Sequence, residues 1–135
     1  MFTQIDHIGF VVADVEAAAA FYGQAYGLAE WEYIELPERH ARIAVARIGD
    51  LLLELIAPTT AAAAFAKFLQ EKGPGIHHIA YRVANVREAL ALLKASGVPL
   101  IDQEPRPGIH NTLVAFIHPK AGGQGVLTEL VEHQL

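Results

Sequence analysis

The sequence predicts an α+β fold in which two β-α-β-β-β modules form one curved mixed sheet. Three observations predict it. The segment Ile5-Asp6-His7-Ile8-Gly9-Phe10-Val11-Val12 returns as Ile76-His77-His78-Ile79-Ala80-Tyr81-Arg82-Val83, offset by 71 residues (78 − 7). Leu52-Leu53-Glu54-Leu55-Ile56 returns as Leu127-Thr128-Glu129-Leu130-Val131, offset by 75 (129 − 54). Between these segments each copy carries one helical stretch behind a capping residue, Asp14 and then Asn85. The four-residue difference fits a longer turn at Ala121-Gly122-Gly123-Gln124. Neither copy is long enough to bury a core alone, so the two must close against each other about a pseudo-twofold axis. One domain over 1–135 is expected, with repeat 1 at about 3–58, a connecting helix at about 60–72 and repeat 2 at about 75–133.

Ile5–Val12 reads as a strand, rich in β-branched and aromatic residues. Asp14 then caps a helix from Val15 to about Tyr26, with Val15, Ala18, Ala19 and Tyr22 at helical spacing and Gly27 as the stop. Trp31–Leu36, Ala41–Ile48 and Leu51–Ile56 read as strands, the last two joined through Gly49-Asp50. Pro58 ends the first copy. Thr60 is read as the cap of a connecting helix Thr60–Lys72, and Gly73-Pro74-Gly75 breaks it. The second copy gives strand Ile76–Val83, cap Asn85 with Glu88 three residues on, and helix Val86–Ala95 stopped by Gly97. Strands near Pro99–Ile101, Thr112–His118 and Val126–Glu132 complete it.

Composition narrows the function. The chain has 135 residues, is 53% hydrophobic and has a formal net charge of −5. Its ten basic residues are scattered, which argues against nucleic acid as a partner. There is no cysteine, so any metal site must use nitrogen and oxygen ligands. No apolar run reaches the length of a membrane span, and no signal-like segment opens the chain. A soluble, cytoplasmic protein is expected, and its apolar richness suggests a homodimer.

The repeat singles out four residues. Side chains alternate along a strand, so His7 shares a face with Gly9, and His78 with the equally small Ala80, leaving room beside a ligand. Glu54 and Glu129 sit in apolar strands, where an ionised carboxylate is costly unless paired or metal-bound. A single strand histidine is ordinarily a structural hydrogen-bonding residue. Here both exceptions recur in register, which points to a divalent ion held by His7, Glu54, His78 and Glu129.

Other histidines carry less. His77 is expected to pack against the helical layer, and His40, His110 and His133 to be solvated. Lys120, in His118-Pro119-Lys120, could meet an anionic substrate group. No phosphate loop, nucleophile elbow or cysteine nucleophile is present.

Paired β-α-β-β-β units with this His…Glu…His…Glu order resemble the vicinal oxygen chelate (glyoxalase I-like) superfamily over essentially the whole chain. Within it the chain looks most like the methylmalonyl-CoA epimerases, through Ile5-Asp6-His7-Ile8, Gly75-Ile76-His77-His78-Ile79-Ala80, Phe116-Ile117-His118-Pro119-Lys120 and Gly125-Val126-Leu127-Thr128-Glu129-Leu130. The resemblance implies metal ligands at His7, His78, Glu129 and Glu54. It also implies a divalent cofactor (Co, Ni, Mn, Zn or Mg), an acyl-CoA substrate and epimerisation by α-proton abstraction through a metal-stabilised enolate. The chain departs from some bacterial epimerases, which have an acid/base glutamate in the strand aligned with Ile43. It departs again at Gly108-Ile109-His110-Asn111-Thr112. With Ile43 unable to move a proton, Glu54 and Glu129 are inferred as the two catalytic acid/base groups, one for each face of the substrate. The alternatives are a lactoylglutathione lyase using the same ligands, an extradiol dioxygenase with a 2-His-1-carboxylate site, and a metal-free ligand-sequestering resistance protein. The four converging ligands argue against the last.

Overall fold

The structure, a computed structural model, describes residues 1–120 and 122–135. Along the chain run β1 (Gln4–Val11), α1 (Val15–Tyr26), β2 (Glu32–Leu36), β3 (Ala41–Ile48), β4 (Leu51–Pro58) and α2 (Ala66–Lys72). There follow β5 (Gly75–Arg82), α3 (Val86–Ala95), β6 (Arg106–Pro107), β7 (Thr112–Ile117) and β8 (Leu127–His133). The strands are hydrogen-bonded in the order β2-β3-β4-β1-β5-β8-β7-β6. Strand β5 pairs with β8 in parallel, while β2–β3, β3–β4, β6–β7 and β7–β8 are antiparallel. This is the mixed eight-stranded sheet that the repeat predicts.

Two compact units make up the chain: Met1–His7 with His78–Leu135, and Ile8–His77. Their borders fall inside β1 and β5, not between the two sequence copies, so the opening residues of the first copy belong with the second.

In the unit built on β5 to β8, helix α3 starts because the Asn85 side chain accepts a hydrogen bond from the Glu88 backbone N–H (3.0 Å). The Glu132 carboxylate accepts another from the Val86 N–H (2.8 Å), tying the helix start to β8. Val86, Ala89 and Leu90 of α3 pack on Ala115, Ile117 and Leu130. Leu130 is fully buried, and burial of such a side chain stabilises by about 1.5–3 kcal/mol. Because directions alternate along a strand, the neighbours of these residues form the opposite face, where Ala80, Val114 and Val131 cluster. Glu129 lies on that face. It is held in mid-strand between Ala80 of β5 and Phe116 of β7.

In the unit Ile8–His77, Asp14 caps α1 by accepting from the Ala17 N–H (3.0 Å), and Gly27 ends it in the left-handed conformation at φ 74°. Val15 and Ala19 pack on Ala44, Leu55 and Ala57, with Tyr22 and Trp31 at the margin. The opposite face pairs Ile43 with Ile56 and Val45 with Glu54.

Two elements differ from expectation, and a third lies partly outside the described residues. Helix α2 covers only Ala66–Lys72, because the Thr60 hydroxyl accepts from the Ala62 N–H and holds a local turn instead of capping a helix. No strand forms at Pro99–Ile101; Leu100 makes a lone bridge to Ile117, and the edge strand is Arg106–Pro107. Prolines at 99, 105 and 107 lack the N–H a longer ladder needs, and this confines pairing to short edge pieces. Finally, the expected turn at Ala121-Gly122-Gly123-Gln124 begins at a residue outside those described. Its remainder closes through the Val126 N–H donating to the Gly123 carbonyl (3.1 Å).

Candidate metal centre

Three of the four predicted ligands meet in one place. His7 comes from β1, His78 from β5 and Glu129 from β8, all within one unit and all buried. The His7 and His78 Nε2 atoms are 3.1 Å apart. Glu129 Oε2 lies 3.1 Å from His7 Nε2, and its Oε1 lies 3.9 Å from His78 Nε2. One ligand atom from each residue falls within 4.8 Å of the other two.

The chemistry of this set fits a divalent ion. Two facing ring nitrogens and a carboxylate oxygen offer lone pairs to one another, and only a proton or a cation between them makes the arrangement favourable. Separations of 3.1, 3.1 and 3.9 Å bring the three ligand atoms close enough to share one small ion. Burial by itself would raise the Glu129 carboxyl, but the hydrogen bond from His7 and the charges of His7 and His78 outweigh it, so the pKa is lowered. Glu129 is therefore kept as the anion a metal requires.

Glu54 lies in β4 of the other unit. It is buried opposite Val45 and is the one buried ionisable side chain among that unit's described residues.

Sequence reasoning missed the support behind His7. Asp6 is buried, and its Oδ2 accepts from His7 Nδ1 (2.8 Å). Its Oδ1 accepts from Arg82 (3.2 Å) and from His133 Nε2 (2.6 Å). Burial would raise the Asp6 carboxyl as well, but hydrogen bonds and charge from His7 and His133 hold it well below the ordinary carboxylate range. His133 thus corrects an expectation: it is engaged with a buried carboxylate and not simply solvated. The available signal was an acidic residue inside an apolar strand, next to a candidate ligand.

The other side chains take lesser places. His77 lies against Phe65 and Phe68, the ring centroids 6.0 and 5.4 Å away, in keeping with the packing expected of it. His40 and His110 occupy left-handed turn positions. Lys120 is exposed, its backbone N–H donating to His118 Nδ1 (3.2 Å). Ala80 is fully buried against Val114 and Val131, so it supplies packing on the ligand face where open room was expected. Phe116 sets its ring edge-on to His78 at 6.0 Å.

The model of the Glyoxalase/Bleomycin resistance protein/Dioxygenase superfamily matches residues 6–116. The chain belongs to this superfamily. Within the superfamily it is 36% identical to human mitochondrial methylmalonyl-CoA epimerase over 128 residues, covering 94% of this chain and 72% of that protein. It is 34% identical to the ethylmalonyl-CoA/methylmalonyl-CoA epimerase of Cereibacter sphaeroides, covering 96% of this chain and 98% of the relative. A solved methylmalonyl-CoA epimerase in complex with methylmalonyl-CoA and NH4+ superposes with a TM-score of 0.92 at 36% identity, over 98% of this chain and 96% of that one. Likeness of this extent, in sequence and in structure, makes the chain an enzyme of the epimerase type. Among its described residues, no helix is long and apolar enough to cross a membrane.

Proposed function

We propose that this chain interconverts the two configurations of methylmalonyl-CoA, using a divalent ion held by His7, His78, Glu129 and Glu54. The observation that carries the reading is the buried His7-His78-Glu129 cluster, in a chain similar to methylmalonyl-CoA epimerases over nearly its full length. A bound ion would supply Lewis-acid stabilisation of the negative charge on the substrate carbonyl oxygens, worth several kcal/mol. This chain's residues do the rest. One carboxylate takes the α-proton from one face, and a carboxyl group on the other face returns a proton to the same carbon. Inversion follows, with no net change in protons. Glu129 and Glu54 are assigned these roles, since Ile43 has no proton to move. The burial of Glu54 supports this: a carboxylate is costly in an apolar strand unless a site requires it. The apolar face around Val114, Val131 and Phe116 limits water beside Glu129.

The test is proton NMR of methylmalonyl-CoA with metal-loaded protein in D₂O. Loss of the α-proton signal together with interconversion of the epimers is expected. An unexchanged α-proton at high enzyme concentration would overturn the assignment. We further propose a homodimer, supported by exposed Phe2, Ile5 and Ile76 on a short, apolar-rich chain. A light-scattering mass equal to one chain at micromolar concentration would remove that proposal.

A further inference from the structure

We infer that Asp6 is a positioning residue for the metal centre, and that Arg82 and His133 hold its carboxylate so that His7 turns its Nε2 lone pair toward His78 and Glu129. This rests on the metal reading above and goes beyond it. An imidazole has two ring nitrogens, and the partner of one decides what the other can do. At His7, Nδ1 meets Asp6 Oδ2 at 2.8 Å, and an ionised carboxylate can only accept. The Nδ1 proton is therefore fixed there, and Nε2 is left as the ligand atom. A carboxylate behind a ligating histidine also raises its basicity.

Asp6 is itself constrained. Its other oxygen receives Arg82 at 3.2 Å and His133 Nε2 at 2.6 Å, so the carboxylate cannot rotate away from His7 without breaking both. The Asp6 contact leaves the buried Arg82 Nε without a hydrogen-bond partner among the described residues. His133 reaches Asp6 from the end of β8, four residues beyond Glu129 on the same face of that strand. One strand thus supplies both a ligand and a support for the ligand opposite. The sequence repeat does not duplicate this device: the residue equivalent to Asp6 is His77, which packs on Phe65 and Phe68.

The experiment compares Asp6→Asn, His133→Ala and His133→Gln with the wild type, with His7→Ala as the reference for a lost ligand. Zinc and manganese affinities are measured by calorimetry. The His7 ring tautomer is read from ¹⁵N NMR, in metal-free and zinc-loaded protein. An asparagine that keeps its oxygen on the two donors, Arg82 and His133, must present its amide N–H₂ to His7, and Nδ1 then has no acceptor for its proton. Asp6→Asn is therefore expected to weaken metal binding by about 10–100-fold and to remove the fixed Nδ1–H signal. His133→Ala should give a smaller loss, restored by His133→Gln, whose amide can still donate. If Asp6→Asn lowers the melting temperature but leaves both the affinity and the tautomer unchanged, Asp6 is merely structural and the inference falls. If Asp6→Asn does not fold, the His133 pair decides by the same two readings. If the wild type binds neither ion, the functional reading fails, while the His7 tautomer still supports or overturns the role of Asp6.

Discussion

Replacing His78 with Ala is the most direct test of the centre, and the structure gives its size. The ring is almost wholly buried, sits edge-on to His7 at 5.2 Å and to Phe116 at 6.0 Å, and points Nε2 at the His7 nitrogen 3.1 Å away. Closed sites with four protein ligands bind zinc with about 10–16 kcal/mol, or about 2.5–4 kcal/mol per ligand if shared equally. At 1.4 kcal/mol per tenfold change, losing one ligand should weaken binding by about two to three orders of magnitude. The metal-free fold should suffer less, since each lost aromatic contact is worth about 0.5–1.5 kcal/mol. The assay is dialysis against a chelating resin followed by elemental analysis, with dissociation constants from competition against a chromogenic chelator. His77→Ala is the control: its ring packs on Phe65 and Phe68, and the variant should keep its metal. Full occupancy in His78→Ala, or an affinity within threefold of the wild type, would refute the assignment.

Glu54→Gln should retain metal, because an amide oxygen still coordinates, yet lose about a hundred- to ten-thousand-fold in epimerisation. It should still exchange the α-proton of one epimer through Glu129, and an unchanged epimerisation rate would show that the second base lies elsewhere. In the metal-free protein, Asp6 and Glu129 both have lowered pKa values. Their contribution to stability is complete above the ordinary carboxylate value of about 4 and is lost as pH falls below it, toward the folded-state values. Urea midpoints should therefore drop in that acid window, and drop less steeply for Asp6→Asn; equal slopes would contradict the pairing. A Cβ at Gly123 would stand 1.9 Å from the Val126 carbonyl oxygen. Gly123→Ala should then cost about 1–3 kcal/mol, read as a lower urea midpoint, and an unchanged midpoint would mean the turn before β8 yields freely.

The sequence was most informative where side chain and backbone agree locally. Asp14 and Asn85 each accept a hydrogen bond three residues on, so the starts of α1 and α3 were legible. Alanines at 61–64 suggested helix, but the Thr60 hydroxyl and carbonyl and the Ala63 carbonyl close local turns there, an effect that propensity does not register. The edge strand Arg106–Pro107 is too short to leave a periodic signal. At the site, comparing the two copies located His7, His78 and Glu129 because it searches for sameness. It passed over Asp6 for the same reason, since the counterpart of Asp6 is a histidine with another task. Where the copies diverge, only coordinates reveal that Arg82 and His133 converge on one carboxylate.

The dispersal of the three proposed ligands along the chain has a consequence for chain entropy. His7 and His78 are 71 residues apart (78 − 7), and His78 and Glu129 are 51 apart (129 − 78). An ion gripped by all three is a non-covalent crosslink closing two long loops in series. Were such links covalent, each would remove about 4 kcal/mol of freedom from the unfolded chain. A metal enforces this only while it stays bound, so loaded protein should resist global opening while its peripheral turns fray as before. Proteases that need the whole chain unravelled would be slowed far more than those that nick exposed loops, and a chelator would erase the difference.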